Sequence, residues 1–166
     1  MINKKYIVLG QKRSGKDTFA EILFEAYGIT YSSSSEASNR LFLFDILKEK
    51  YGYKTLEECF DDRVNHRDEW YKLICEYNSI DKTRLAKDIM KDFDMYVGIR
   101  DLEEFQACVK NNIFDLIIWV DASERVHSEN EKFMEITKSM ADIIIDNNGT
   151  YEDFKERVIR FGKFLI

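Results

Sequence analysis

Residues 10–18 read GQKRSGKDT, and they stand between two segments of opposite period. Before them, residues 5–9 (KYIVL) are short and apolar, as in a buried strand. After them, Phe19, Ile22, Leu23 and Ala26 fall at i, i+3, i+4 and i+7, the apolar stripe of a helix that stops near Gly28. A glycine turn from a strand end into a helix start leaves the chain few options. The glycines of G-x-x-x-x-G-K allow backbone N–H groups to turn inward where a side chain would block the way. The helix N-terminus adds partial positive charge behind them.

Such a ring of donors fits a phosphate, and the lysine that follows reaches the outer phosphates of a nucleotide. Gly10, Lys12, Arg13, Ser14, Gly15, Lys16, Asp17 and Thr18 are the expected nucleotide-binding residues. A polar turn that happens to contain Gly-Lys is the competing reading, and the position between strand and helix argues against it. The last position of the pattern, normally a hydroxyl, is Asp17. A carboxylate can replace the hydroxyl as a hard oxygen ligand for Mg²⁺. It can also serve only as an acidic first-turn residue, although a bound polyphosphate would repel it unless a cation intervened. The metal role, direct or through water, is the expectation for Asp17.

The rest of the chain alternates short β-rich runs with longer helical ones, the arrangement of a parallel sheet covered by helices. Residues 29–33, 95–99, 114–120 and 143–145 read as further strands, and FDLIIWV is the strongest central-strand signal. Helices are expected over about 36–51, 65–77, 81–93 and 102–110, with Trp70, Leu73, Ile74 and Tyr77 on one face of the second. Thr150 and Asp153 form a capping-box start for a last helix carrying Phe154, Val158, Phe161 and Leu165. The hydroxyls of residues 32–35 can serve a ligand or cap the next helix. At 166 residues the chain is expected to form a single domain, 1–166.

Bulk properties exclude several classes. A formal charge of −6 does not provide the basic field of a protein that tracks duplex DNA, and no stable nucleic-acid complex is expected. No apolar run approaches the roughly 18 residues of a membrane span, and nothing resembles a secretory signal. Cys59, Cys75 and Cys108 suggest neither a disulfide framework nor a CxxC site, so a reducing cytoplasm fits best. His66 and His127 lack ligand spacing for zinc.

The residues also carry a resemblance. GQKRSGKDTFAEIL resembles the G-x-K-R-S-G-K-D-T opening of phage-type deoxynucleoside monophosphate kinases and the related loop of phosphomevalonate kinases, both P-loop kinases. VGIRDLEE resembles the family strand that ends in D-x-R-x-x-x-E, with Arg100 and Glu104 at matching places and Gly98 where the family has Asp. ADIIIDNNGTYEDF is similar to the family's last strand, N-x-G-[ST] turn and helix.

The resemblance implies a three-layer α/β P-loop kinase fold with a five-stranded parallel sheet flanked by helices. It implies ATP and Mg²⁺ as cofactors and a small nucleotide, a deoxynucleoside monophosphate, as acceptor. Residues 35–93 become a helical acceptor-binding region and 122–140 a lid-like segment. Lys16, Arg100 and Arg125 become the catalytic cations, although Arg125 can equally be a solvated surface arginine. Ser33, Arg63, Arg67, Trp70, Arg100 and Glu104 become acceptor-binding residues, with Trp70 either stacking on a base or filling the core. Asn147 borders the adenine or forms a routine turn. Asp121 joins Asp17 at the metal or caps a strand end facing water. Other acceptors stay open, namely phosphomevalonate, dephospho-coenzyme A or a modified base in DNA, as does a nucleotide-binding regulator without catalysis. The expected location is the cytoplasm, the host's if the chain is phage-encoded, and the reading leaves room for a homodimer.

Overall fold

A computed structural model describes residues 4–127 and 134–166. Its frame is five parallel strands, Tyr6–Leu9 (β1), Tyr31–Ser33 (β2), Met95–Val97 (β3), Leu116–Asp121 (β4) and Ile143–Asp146 (β5). Their spatial order is β2-β3-β1-β4-β5. This is the parallel α/β sheet that the alternation of periods predicts. At its centre, Val8 lies opposite Val97 on one side and Ile118 on the other. All four residues of β1 are buried, which is why YIVL carries no polar alternation.

Eight α-helices accompany the sheet among the described residues: Lys16–Tyr27 (α1), Ser34–Ser38 (α2), Phe44–Tyr51 (α3), Leu56–Asp62 (α4), Arg67–Tyr77 (α5), Arg84–Asp92 (α6), Leu102–Lys110 (α7) and Tyr151–Gly162 (α8). On one face, α1 and α8 bring Phe19, Leu23, Phe154 and Val158 against Tyr6, Val8, Val97 and Ile118. On the other, α2, α6 and α7 bring Ala37, Leu85, Ile89 and Phe105 against Ile7, Leu9, Tyr96 and Trp119. Successive β1 side chains point to opposite faces, so one short strand feeds both cores. A third cluster, Leu43, Leu47, Cys59 and Trp70, joins α3, α4 and α5 to the segment before α3.

Several boundaries differ from expectation for local reasons. The strand expected over 95–99 ends at Val97 because Gly98 takes φ +85, which turns the chain out of the extended region. The helix expected over 36–51 runs from Ser34 to Tyr51 but relaxes into a π turn over Asn39–Leu43. The helix α4 was not expected at all. Its apolar period is weak, yet Thr55 and Glu58 form a complete capping box at its start, a signal present in the sequence. Of the 122–140 segment, residues 128–133 lie outside the described residues, whereas Met134 and Ile136 are buried against the second face of the sheet. Among the described residues no helix is long and apolar enough to cross a membrane.

Phe19 lies in the first turn after the glycine loop and is fully buried against the sheet. Phe19→Ala should lower unfolding free energy by about 3–5 kcal/mol. Urea denaturation measures this as a lower midpoint with an unchanged slope, and a loss of under about 1 kcal/mol would contradict the packing described.

Candidate active site

The connections leaving the neighbouring strands β1 and β4 run in opposite directions, one towards β2 and the other towards β5. This opens a crevice at the carboxyl ends of the strands. The glycine loop lies there. It turns through Gly10 at φ +152, Arg13 at φ +64 and Gly15 at φ +99 before α1 begins. A Cβ on Gly10 would stand 2.5 Å from Ser14 Oγ and 2.7 Å from the Val120 carbonyl oxygen. One on Gly15 would collide with Asn147 Nδ2. Both motif glycines are thus required by close approach as well as by backbone angle.

Gly15 is the N-cap of α1 and offers no side-chain cap, so the first amides of the helix keep their donors for an anion. Ser14 is almost fully buried and its Oγ has no hydrogen-bond partner among the described residues. Leaving a hydroxyl in that state costs about 1–3 kcal/mol, and a phosphate oxygen is a partner it can donate to. Lys16 Nζ donates to the carbonyls of Gly10 at 2.9 Å and Gln11 at 2.8 Å, tied to the loop's entrance within reach of a polyphosphate. Uncapped helix start, orphaned hydroxyl, glycine cradle and lysine together fit a phosphate group.

The turns after β4 and β5 close on this loop. Asn147 is buried, and its Nδ2 donates to the Ser14 carbonyl at 2.8 Å while its backbone N–H donates to the Asp121 carbonyl at 2.7 Å. Arg125 Nε donates to the Asn147 carbonyl at 2.6 Å, and its Nη2 reaches the Ser14 carbonyl at 3.4 Å. The guanidinium expected on the moving phosphate is therefore engaged with backbone carbonyls in this state.

The other side of the crevice is the end of β3. Gly98 donates its N–H to the Val8 carbonyl at 3.0 Å, and a Cβ on it would lie 3.9 Å from Lys16 Cε. Gly98 takes φ +85, a backbone conformation in which a carboxylate residue would be strained. Arg100 follows two residues later and is exposed at the same edge. Asp101 N-caps α7 by accepting from the Glu104 N–H at 3.0 Å. Glu104 itself is buried, and its Oε1 accepts from the Tyr96 hydroxyl at 3.1 Å. Burial pushes the Glu104 carboxyl up to about 7, against the pull of the Tyr96 hydrogen bond and with Asp101 adding to the rise. Ser34 Oγ donates to the Gly98 carbonyl at 3.2 Å, linking α2 to the same corner.

For Mg²⁺ the carboxylates are Asp17, exposed in the first turn of α1, and Asp121, at the end of β4. Asp121 Oδ2 accepts from Ser123 Oγ at 3.1 Å and lies 3.8 Å from Lys138 Nζ. Among the described residues no three His, Cys, Asp or Glu side chains gather into a metal cage. Mg²⁺ needs none when nucleotide oxygens and water complete its octahedron, so one or two carboxylates beside the loop fit it.

Three of the residues expected at the acceptor, Trp70, Ser33 and Arg63, have partners within the fold. Trp70 is only 4% exposed, edge-on to Phe60 within the third cluster, and is corrected from a stacking platform to core. Ser33 N-caps α2, its Oγ accepting from the Glu36 N–H and bonding Glu36 Oε2, both at 3.1 Å. Arg63 donates to the Phe60 carbonyl at 2.7 Å and lies 3.7 Å over the Phe60 ring, closing α4. Arg67 opens α5 and is exposed there. Sequence reasoning missed the Tyr96–Glu104 pair as a unit, since a strand residue and a helix residue eight positions apart carry no shared periodic signal.

No family profile matches the chain, and no curated protein sequence matches it. Solved structures do. A dephospho-CoA kinase from Campylobacter jejuni is 16% identical with a TM-score of 0.57, covering 98% of this chain and 97% of that one. A shikimate kinase from Aquifex aeolicus is 16% identical with a TM-score of 0.53, covering 97% and 98%. A gluconokinase from Sinorhizobium meliloti is 12% identical with a TM-score of 0.51, covering 98% and 93%. At these identities the likeness is one of fold, and it extends over nearly the whole of each chain.

Glu104 has an acid value raised from 4.5 to about 7, so between those pH values the folded state holds a proton that the unfolded state has released. Stability should therefore fall as pH rises from 4.5 towards 7. Glu104→Gln keeps an acceptor for Tyr96 and has no charge to bury. Its stability relative to the parent should rise across that window in denaturation curves, and parallel pH profiles would contradict the burial of the carboxyl.

Proposed function

We propose that the chain transfers the γ-phosphoryl group of ATP to a deoxynucleoside 5′-monophosphate, giving the diphosphate and ADP. The observation that carries this is the juxtaposition of Lys16 with the end of β3, where a Cβ on Gly98 would lie in ordinary contact with Lys16 Cε at 3.9 Å and Arg100 is exposed at the same edge. A hydroxyl acceptor profits from a general base, whereas a phosphate acceptor is already a nucleophile and needs positioning and charge neutralisation. Of the carboxyls beside β3, Asp101 caps α7, and Glu104 is buried away from the crevice edge with its Oε1 accepting from the Tyr96 hydroxyl. That edge thus favours an anionic acceptor over an alcohol. The fold shared with three kinases supports phosphoryl transfer but not this choice of acceptor.

The loop amides and Lys16 bind and orient the donor's phosphates, and Lys16 neutralises charge that builds on the transferring group. Arg100 holds the acceptor phosphate in line. Asp17 or Asp121 would hold Mg²⁺, which would supply positive charge to offset that of the donor's phosphates.

A coupled ADP-release assay with ATP and each of the four deoxynucleoside monophosphates tests the reading. Product is expected with at least one of them, and ATP binding without turnover on any acceptor, phosphomevalonate and dephospho-coenzyme A included, would favour a regulator. Lys16→Ala should abolish transfer in a folded protein. Arg100→Ala should raise the acceptor KM by about 10- to 100-fold while leaving the ATP KM near its parent value, the loss of a charge-assisted hydrogen bond. Equal effects on both substrates would remove Arg100 from the acceptor. Asp17→Ala should weaken the Mg²⁺ dependence of ATP binding in calorimetric titrations, and an unaltered dependence would make Asp17 a helix-start residue only, with the metal ligand elsewhere.

A further inference from the structure

Asn147 and Arg125 meet the glycine loop at a single atom, the carbonyl oxygen of Ser14. A trans peptide is planar, so its C=O and the following N–H point in opposite directions. Fixing the Ser14 carbonyl therefore fixes the direction of the Gly15 N–H. The Ser14–Gly15 peptide needs such fixing, because Gly15 at φ +99 has no side chain to restrict rotation of the plane. The Asn147 amide occupies the space that a Cβ on Gly15 would need, so glycine and amide are matched.

The pin is itself rigid. Asp121 and Asp146 are paired across the parallel strands, and the Asn147 N–H is bonded to the Asp121 carbonyl at 2.7 Å. Arg125 braces the Asn147 carbonyl at 2.6 Å, and the adjacent Glu124 N–H is held by Asn148 Oδ1 at 2.9 Å. The ends of β4 and β5 are thus stitched to each other and to the loop.

We propose that Asn147, braced by Arg125, is a positioning residue that holds the Ser14–Gly15 peptide with its N–H turned into the phosphate cradle. Phosphate affinity then depends on a side chain 133 residues away in sequence that need not touch the nucleotide. This rests on the phosphate-binding reading of the loop but not on the identity of the acceptor. It differs from a role for Asn147 at the adenine, because a positioning residue acts on any polyphosphate whether or not a base is attached.

Calorimetric binding of magnesium tripolyphosphate and of MgATP to the parent chain, Asn147→Ala and Arg125→Ala separates the two. Asn147→Ala should weaken both ligands by the same factor, about tenfold, the worth of one well-placed hydrogen bond. The losses from Asn147→Ala and Arg125→Ala should be less than additive in the double variant, since both act on one peptide. In ¹H–¹⁵N spectra the Gly15 amide of the parent should move downfield on adding tripolyphosphate, and that movement should vanish in Asn147→Ala while core resonances stay in place. Arg125→Ala, a truncation at an exposed residue, provides the same readouts if Asn147→Ala does not fold. Loss of ATP affinity with tripolyphosphate affinity intact, or a Gly15 amide that still responds, would overturn the proposal. A parent chain that binds no tripolyphosphate would refute the phosphate loop itself, and the pin with it.

Discussion

The structure depends on the two-sided parallel pairing of one short strand. Residues Tyr6–Leu9 are flanked by β3 and β4 and covered on both faces, so their carboxyl end is delivered to the middle of the sheet. Gly10 follows directly and packs so closely on the Val120 carbonyl of β4 that no side chain fits. The loop therefore lies in the crevice because of sheet pairing and strand order. The same placement sets α1 with its N-terminus facing the loop, where its amides and partial charge favour an anion.

The loop and its flanking elements were legible because their signals are local. Gly28 at φ +70 ends α1 where the apolar stripe stops, and Thr150 with Asp153 caps α8 as the S/T-x-x-[acid] pattern predicts. The crossover helix falls on Leu102–Lys110, as its periodicity requires. Trp70 was ambiguous for a physical reason. The spacing that put it beside Leu73, Ile74 and Tyr77 describes a helix face, and a face alone does not say whether it meets protein or ligand. Packing against Leu43, Leu47 and Cys59 resolves it as core.

What the sequence could not convey is contact between distant segments. The Asn147 amide and the Ser14 carbonyl belong to opposite ends of the chain, and the N-x-G-T turn reads the same whether it faces a base or a loop. The Glu104 and Tyr96 pair is similar, since only the packing of α7 on β3 makes an ordinary first-turn acid into a buried one. Gly98 lies between these cases. Its departure from the D-x-R-x-x-x-E pattern was visible at once, but its meaning needed the backbone angle and the nearness of Lys16. Together these features place cations and peptide dipoles at the strand ends, with Asp101 capping α7 and Glu104 buried.

The central claim is that a donor polyphosphate on the glycine loop and an acceptor phosphate on Arg100 converge at one place. Affinity for a dinucleoside pentaphosphate, with adenosine at one end and a deoxynucleoside at the other, tests it most directly. Such a molecule spans both sites, and joining two binding events in one ligand raises affinity by roughly 10²–10⁴ over either alone. The account predicts binding at least about 100-fold tighter than ATP, with the advantage lost in Arg100→Ala. Affinity no greater than that of ATP would contradict it, because the loop would then bind a nucleotide with no acceptor site within reach.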